Sequence, residues 1–277
     1  MLTEAVMRAM WPHGDAIAPG LIDGFMMTGN AVLGRYGIVT DLVLAHVMAQ
    51  FTEECGAGAD LVENLNYSAA GLMKTWPSRF DAAKATLFAN RPEMIANEVY
   101  DGRLGNRPES GDGWAYRGRG ASQITGRSSY AALGERLGLD LVNNQDLVIL
   151  PGNFLLCGVA DFVMCGCLPF ALADDIKGVT YHLNGGYIGL DARISALANW
   201  KAALGMPDAA RHGTLWIQQS LNTLGTEPPL IADGSYGAVT VAAVKAFQLA
   251  NALQADGKIG PLTLRAMEDA LARIEAP

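Results

Sequence analysis

Apolar residues recur at helical spacing through the first two hundred residues of the chain. Leu44, Val47 and Phe51 form one such stripe, and residues 154–163 form another. This spacing predicts amphipathic helices, and alternating β-branched runs are scarce, so at most a small hairpin is expected. Glycine-rich segments such as Gly111–Gly113 predict turns between the helices. The chain is therefore expected to be mainly α.

The pattern changes at residues 205–208 (GMPD), where proline interrupts the helical periodicity. Beyond it, residues 233–240 (DGSYGAVT) recur as residues 256–263 (DGKIGPLT). In each copy Asp-Gly supplies a turn, and the threonine is expected to cap the next helix. Apolar positions around the repeat predict three short helices. We therefore predict two domains, residues 1–206 and a small three-helix domain of residues 207–277.

Composition and charge narrow the class of partner. Half of the 277 residues are hydrophobic and 17% are charged, so a substantial core is available. The net charge of −8 gives no bulk attraction to anionic polymers, which makes nucleic acid a poor candidate. The apolar segment 149–173 contains two prolines and three glycines. We expect it to be a buried helix with its flanks, without membrane insertion. We also expect a monomer that needs no metal or other cofactor.

Cysteine usage and the N-terminus bear on the cellular compartment. The four cysteines, at positions 55, 157, 165 and 167, form no CxxC pair, which predicts reduced thiols in a protein made in a cytoplasm. The first fifteen residues contain Glu4 and no apolar core, so no secretory signal is predicted.

Two glutamates follow the first apolar stripe. Glu54 is the next position on the face of Val47 and Phe51, whereas Glu53 lies on another face. Burial disfavours the charged form of a carboxyl, so we expect Glu54 to have a raised pKa and to act as a general acid. Glu63 lies among polar, turn-forming neighbours and is expected to act as a base. Such a pair is what glycoside hydrolysis requires, although the spacing alone is also typical of solvated surface glutamates.

Two segments around these glutamates resemble glycoside hydrolase family 19. Residues 49–56 (AQFTEECG) resemble the segment written AQxxHESG or AQxxHETG, with Glu54 at the general acid, Glu53 in place of histidine and Cys55 in place of serine or threonine. Residues 63–69 (ENLNYSA) resemble the lysozyme-like branch, in which this glutamate is the second catalytic carboxylate. The resemblance implies a lysozyme-like helical catalytic domain with a cleft, and Tyr67 as a substrate-binding residue.

Two further segments extend the resemblance. Residues 113–127 (GWAYRGRGASQITGR) resemble the signature GxxYRGRGxxQxTG, which implies that Gln123 contacts sugar and that Thr125 helps Glu63 to hold the attacking water. Tyr116 and the arginines are expected to line a groove, with Tyr116 binding substrate. A nucleotide-binding GxGxxG loop is disfavoured, because Gln123 occupies its sixth position and no strand precedes it.

The fourth segment, residues 179–193 (VTYHLNGGYIGLDAR), resembles VTxxINGGxxGLxxR. The resemblance implies that Asn184 is a sugar ligand on the cleft wall and that Arg193 is an internal ion-pair partner. A solvated arginine is the simpler interpretation of Arg193. The four segments occur in order from residue 49 to residue 193.

The C-terminal repeat, over about Thr214 to Leu271, resembles the peptidoglycan-binding domain of wall hydrolases. A bare helical bundle for dimerisation or folding is the alternative. Together the resemblances imply a phage endolysin that hydrolyses β-1,4 bonds of bacterial peptidoglycan by an inverting two-carboxylate mechanism. We expect it to remain in the host bacterial cytoplasm until another factor releases it to the periplasm and wall.

Three other functions stay open at this point. A chitinase is one, because chitin shares β-1,4-linked N-acetylated sugars with peptidoglycan. A cysteine amidase or endopeptidase is another, with Cys55 as nucleophile and His46 or His182 as base. His46 and Cys55 are nine residues apart on one predicted helix, about 13 Å along its axis. A non-catalytic wall-binding protein is the third, favoured by Glu53 at the position of the usual histidine.

Overall fold

The computed structural model describes residues 2–206, 213–259 and 261–275, and the fold is mainly helical. The helices are, in chain order, α1 (Glu4–Met10), α2 (Leu21–Arg35), α3 (Asp41–Glu54), α4 (Ala69–Thr75), α5 (Ala82–Phe88), α6 (Pro92–Tyr100), α7 (Asp112–Ala115), α8 (Arg127–Leu137), α9 (Pro151–Met164), α10 (Leu168–Leu172), α11 (Ile176–Asn184), α12 (Leu190–Ala203), α13 (Thr214–Thr223), α14 (Ala238–Ala250) and α15 (Pro261–Glu275). Within the described ranges, β structure is limited to the isolated antiparallel bridges Val62–Arg119 and Arg119–Ile124.

The chain divides into two compact units. One consists of Met1–Val6, Gly37–Glu53 and Phe162–Pro277, and the other of Met7–Tyr36 and Glu54–Asp161. The predicted joint at residues 205–208 runs into residues 207–212, which lie outside the described residues. The division into domains of residues 1–206 and 207–277 therefore stays a prediction.

In the second unit, α4, α5 and α6 enclose a core of their own. Its buried members are Leu65, Leu72, Phe80, Ala85, Ile95, Ala96 and Val99. Serine and aspartate caps start two of the helices, because Ser68 accepts from the Gly71 backbone N–H and Asp81 accepts from that of Lys84. This cluster supports the segment that carries Glu63.

The apolar segment 149–173 forms α9 and α10 with a turn between them. Phe154, Leu155 and Phe162 are fully buried on α9, as expected of a core helix. None of the helices in the described ranges is both long enough and apolar enough to span a membrane. The turn predicted at Gly111–Gly113 is only partly correct. Gly111 has a φ of 78°, but α7 begins at Asp112.

The C-terminal module, residues 213–275, consists of the three predicted helices α13, α14 and α15 around a small core. Its buried apolar residues are Ile217, Leu221, Leu230, Ala243, Val244 and Met267. Trp216 and Phe247 pack against this cluster while partly exposed. Such a small core gives modest stability, so buried polar contacts matter here.

A buried glutamine holds the first copy of the repeat. Gln218 Nε2 donates to Asp233 Oδ1 at 3.0 Å and to Thr240 Oγ1 at 3.1 Å. Gln218 Oε1 in turn accepts the backbone N–H of Gly234 at 2.8 Å. The aspartate, glycine and threonine of the repeat therefore share one partner from the preceding helix.

The second copy has the same arrangement around Gln248. Its Nε2 donates to Asp256 Oδ1 at 2.9 Å and to Thr263 Oγ1 at 3.1 Å, and its Oε1 accepts from Gly257 N at 2.9 Å. The expectation that threonine caps the helix was wrong for the first copy. α14 is preceded by Gly237, which provides no side-chain cap, and Thr240 lies inside the helix as a partner of the glutamine.

Candidate active site

Glu54 is the last residue of α3, as the apolar stripe predicted. Residues 43–51 of this helix are buried, whereas Glu54 is half-buried. The neighbouring Glu53 is exposed, and its carboxylate lies against the fourth signature segment. A Cβ added at Gly189 would stand only 2.7 Å from Glu53 Oε1. The two adjacent glutamates therefore lie in different environments.

Glu63 lies after α3, in a segment whose backbone is hydrogen-bonded to residues 116–126 between α7 and α8, called here the signature loop. Its N–H donates to the Gly118 carbonyl at 2.8 Å, beside the Val62–Arg119 bridge. Its side chain accepts two hydrogen bonds, from Tyr100 Oη to Oε1 at 2.7 Å and from the Gly118 N–H to Oε2 at 3.2 Å. A carboxylate has about four lone-pair sites, so it can still accept a hydrogen bond from water.

Tyr100 contacts a predicted site residue, Glu63, and the sequence analysis missed it. Burial raises the pKa of Tyr100, and the charge of Glu63 raises it further. The phenol therefore keeps its proton and acts as the donor to Glu63. Tyr67 is half-buried, with its ring 5.0 Å from that of Trp76. Burial and the charge of Glu63 also raise the pKa of Tyr67.

Gly118 lies at the meeting point of three predicted site residues. A Cβ at this glycine would stand 2.7 Å from Gln123 Oε1 and 3.3 Å from both Glu63 Cβ and Thr125 Oγ1. The absence of a side chain therefore lets the loop backbone approach Glu63. The structure brings Glu63, Gln123 and Thr125 together around one backbone amide.

The signature loop is held in shape by its own hydrogen bonds. Gln123 has a φ of 53°, an uncommon left-handed conformation for a side-chain-bearing residue. Its Nε2 donates to the Asp60 and Gly120 carbonyls at 3.1 and 3.2 Å. Thr125 Oγ1 donates to the Gln123 carbonyl at 2.9 Å. The lone pairs of the Thr125 hydroxyl remain able to accept from another molecule.

Tyr116 and Arg119 do not line a groove as expected. Tyr116 is only 3% exposed, its hydroxyl donates to the Val142 carbonyl at 2.9 Å, and it accepts from Arg127 at 2.6 Å. Arg119 is 4% exposed and donates to Asp146 at 2.8 Å. Both side chains therefore hold the loop in place from inside the protein. The assignment of Tyr116 to substrate binding is corrected accordingly.

Asp112 supports the signature loop from its N-terminal side. Arg107 donates to it from the backbone N–H, from Nε and from Nη2, at 2.9 to 3.0 Å. The hydrogen bond from the Arg107 side chain lowers the pKa of Asp112 to about 2. An aspartate after a glycine is a common turn residue, so this ion pair could not be predicted from the residue pattern.

The fourth signature segment forms the end of α11 and the start of α12. Asn184 is exposed at the last residue of α11, and its Nδ2 donates to the Ile188 carbonyl at 3.4 Å. Arg193 is buried and donates to Gln50 Oε1, and Gln50 Nε2 donates to Thr180 Oγ1 at 3.2 Å. The interpretation of Arg193 as solvated was wrong. A glutamine inside the buried face of α3 was the available signal for this network.

A buried cluster of charged residues was also missed. His46 Nε2 lies 2.7 Å from Asp174 Oδ1, and Lys201 Nζ donates to both oxygens of Asp174 at 2.7 Å. His46 and Lys201 are fully buried. Burial acts to raise the pKa of Asp174, but the hydrogen bond from His46 and the charge of Lys201 outweigh it and lower the pKa.

The structure argues against Cys55 as the nucleophile of an amidase or endopeptidase. Burial raises the pKa of the Cys55 thiol to about 12, so it remains protonated at neutral pH. His46 is committed to Asp174. The His182 ring lies 4.4 Å from that of Phe170, and its Nδ1 is 3.2 Å from the Cys165 carbonyl. The four cysteines are thiols, not disulfides.

A carboxylate held between a phenol and a backbone amide, with a glutamine and a threonine beside it, suits hydrolysis of a sugar bond. The chain is a glycoside hydrolase, and it belongs to glycosyl hydrolase family 19. It is 36% identical over 195 residues to a glycosyl hydrolase family 19 domain-containing protein of Haemophilus influenzae, covering 70% of this chain and 92% of that protein. A shorter match, 64% identical over 33 residues, joins 12% of this chain to 13% of Chitinase 8 of Oryza sativa subsp. japonica.

Structural comparison and the C-terminal module agree with this family. The crystal structure of a chitinase C mutant has a TM-score of 0.50 and 17% sequence identity, covering 74% of this chain and 93% of that chain. At this identity the likeness concerns the fold, which is that of a chitinase-like, mainly helical domain. Residues 212–267 match the peptidoglycan binding domain family. The chain thus combines a family 19 glycosidase with a peptidoglycan-binding domain.

Proposed function

We propose that this chain is an endolysin that hydrolyses β-1,4 glycosidic bonds of bacterial peptidoglycan with inversion at the anomeric carbon. The observation that carries the proposal is the carboxylate of Glu63, which accepts from Tyr100 and from the Gly118 N–H next to Gln123 and Thr125. This arrangement can orient one water molecule against a bound sugar.

The proposed roles follow from position. Glu54, half-buried at the end of α3, delivers a proton to the leaving sugar oxygen. Glu63 removes a proton from the water that Thr125 helps to hold. Gln123, Asn184 and Tyr67 bind the sugar chain, whereas Tyr116, being buried, is left out of this set.

Peptidoglycan is favoured over chitin by the second domain. A peptidoglycan-binding domain brings the enzyme to an insoluble wall, where local concentration raises the rate of cleavage. Similarity to chitinases supports chitin as the second candidate substrate, because both polymers present N-acetylated sugars.

We further propose that the protein acts in lysis of a bacterial host by a phage, waiting in the cytoplasm until another factor opens the route to the wall. The reduced cysteines are compatible with that compartment. Expression in a bacterium with and without a co-expressed membrane-permeabilising factor tests this. Lysis that depends on the factor is expected, and lysis without it would contradict the release route.

Mass spectrometry of digested wall material tests the reaction. Purified sacculi and colloidal chitin are incubated with the wild-type protein, and the products are identified by mass and by the sugar at the new reducing end. New glycan ends from sacculi support a lysozyme, and release of chitin oligomers alone would make it a chitinase. Free stem peptides would identify an amidase. Proton NMR of the first product reports the anomer, and a retained configuration would refute inversion.

A further inference from the structure

A groove of about 420 Å³ lies on the C-terminal module. Leu224, Pro228 and Phe247 form its sides, and the alanines Ala242, Ala246 and Ala250 of α14 form its floor. This volume is within the range of small-ligand sites, about 300–1,000 Å³, which are mostly apolar with a few polar groups. The catalytic residues proposed above take no part in it.

The floor of the groove depends on short side chains. Ala242, Ala246 and Ala250 are four residues apart, so they lie on one face of α14, and all three are exposed. A leucine or aromatic residue at any of them would occupy the open volume. The helix carries larger residues elsewhere, such as Leu249, which is 69% exposed and does not line the groove.

The charge of the lining restricts the occupant. Glu227, on the exposed loop between α13 and α14, is the ionisable residue among those that line the groove. A carboxylate repels anionic wall polymers and attracts an ammonium group. Beside it, Thr226 and the backbone of Gly225 provide neutral hydrogen-bonding groups. The ligand is therefore neutral or cationic where it meets Glu227.

The lining also distinguishes peptide from glycan. Its aromatic residue, Phe247, is half-buried, and no amide or guanidinium side chain is among the lining residues. A sugar ring, with a hydroxyl on most carbons, would set polar groups against this apolar lining, whereas a stem peptide can turn its alanine methyl groups to the lining and its amides to the open side of the groove. The stem peptides of peptidoglycan carry alanine methyl groups and, in many bacteria, the free amine of a diamino acid. We propose that the groove binds a stem peptide, with methyl groups on the alanine floor and the amine near Glu227.

This inference rests on the proposed wall-binding role of the module, and its test measures binding separately from catalysis. The full-length protein is pelleted with intact sacculi on ice, alone or in competition with soluble stem peptides or with the soluble, peptide-free glycan strands that an amidase releases. Ala246→Trp fills the groove, and Ala272→Trp is the matched control at an exposed alanine of α15. We expect Ala246→Trp to bind intact sacculi about tenfold or more weakly, and the control to bind like the wild type.

Soluble stem peptides should compete the wild type off the sacculi about tenfold or more effectively than peptide-free glycan strands do. Hydrolysis of soluble oligosaccharides by Ala246→Trp should remain unchanged, so a loss of catalysis would be recognised separately. Unchanged binding of Ala246→Trp, or equal competition by stem peptides and by peptide-free strands, overturns the proposal. No binding of the wild type to intact sacculi would remove the wall-binding role and this inference with it.

A second variant keeps the test independent of folding. Glu227 is exposed, so Glu227→Gln changes the charge with little effect on stability. It should bind sacculi containing free amines more weakly than the wild type, by severalfold. Acetylation of those amines should abolish the difference. A difference that survives acetylation, or no difference before it, would refute the amine contact.

Discussion

Tyr100 and Gly118 approach Glu63 from different parts of the chain. Tyr100 ends α6, thirty-seven residues after Glu63, and Gly118 belongs to the signature loop, fifty-five residues after it. The resemblance to family 19 identified Glu63, Gln123 and Thr125 as candidates, and the structure places these three around one glycine. Tyr100 could not be found in this way, because its partnership depends on where the packing of α6 puts its hydroxyl.

Glu54 and Glu53 provide a matched pair for testing the general acid. Glu54→Gln keeps the shape of the side chain but has no proton to deliver, so we expect kcat to fall by about 10²–10⁴-fold. Glu53→Gln changes an exposed residue and should retain most of the activity. Turnover of soluble oligosaccharides measures both. If Glu53→Gln loses activity while Glu54→Gln stays active, the general acid is Glu53 and not Glu54.

The hydrogen bond that Tyr100 donates to Glu63 should contribute to the reactivity of this carboxylate. Tyr100→Phe removes a hydrogen bond to a carboxylate, and such bonds contribute about 1.5–3 kcal/mol, so kcat/KM should fall by about tenfold or more. Glu63→Gln should lose far more, and added azide should restore part of the turnover because a small anion needs no deprotonation. A Tyr100→Phe enzyme with wild-type kinetics would limit Tyr100 to a structural role. If azide instead restores turnover of Glu54→Gln, then Glu54 is the base and Glu63 the general acid.

At the scale of elements, α3 and the C-terminal repeat differ in what could be predicted. The stripe of Val47 and Phe51 predicted α3 and the position of Glu54 at its end, because apolar residues at helical spacing form a regular pattern, whereas the burial of His46 and Gln50 on the same helix leaves no such pattern. The doubled repeat predicted the turns of the module. It did not predict that Gln218 and Gln248 hold them, because these glutamines precede the two copies by unequal distances and leave no periodic pattern.

Gln248 should stabilise the module more than an exposed glutamine does. Gln248→Ala leaves the Gly257 N–H and the Thr263 hydroxyl without this partner, and an unsatisfied buried polar group costs about 1–3 kcal/mol. We expect faster hydrogen exchange of the α14 and α15 amides and a lower unfolding free energy of the module. Gln254→Ala, at an exposed position, is the control. Equal effects of the two substitutions would mean that the network adds no stability.

On the scale of the whole molecule, stability should depend on carboxylates that are held ionised. The hydrogen bond from Arg107 lowers the pKa of Asp112. The pKa of Asp174 is lowered as well, because the hydrogen bond from His46 and the charge of Lys201 outweigh the effect of burial. His46 and Lys201 lie 128 and 27 residues from Asp174, and Arg107 reaches Asp112 through the turn between them, so a pattern of residue types does not reveal either partnership. Both contribute stability in the ionised form, which acid removes.

Asp112 allows the sign of this effect to be tested. Its folded-state pKa of about 2 lies below the ordinary value of 3.8, so its contribution is present above pH 3.8 and is lost as the pH falls towards 2. The unfolding free energy of the wild type should therefore fall over this range. Asp112→Asn should be less stable at neutral pH and should show a weaker pH dependence there. Asp269→Asn, at an exposed residue, should follow the wild-type curve, and an equally steep curve for Asp112→Asn would contradict the assignment.

The two predicted domains should separate in function at the joint of residues 205–208. A chain ending at Leu204 keeps all four signature segments and should still hydrolyse soluble oligosaccharides. It loses the module and with it the contacts from Thr214 to the Asp174 carbonyl at 3.1 Å and from Lys177 to Asp233 at 3.6 Å. The ion pair is partly exposed and the hydrogen bond joins neutral groups, so the loss of these two interactions should cost little stability.

Ending the chain at Leu204 should weaken its binding to the wall much more than it lowers its stability. Binding to intact sacculi, measured by pelleting, should fall sharply in the shortened chain, and lysis of whole walls should slow by a larger factor than hydrolysis of soluble substrate. The full-length protein carrying Ala272→Trp is the control for a change in the module that leaves the groove open. Sacculus binding that is equal with and without residues 205–277 would show that the first domain alone holds the wall.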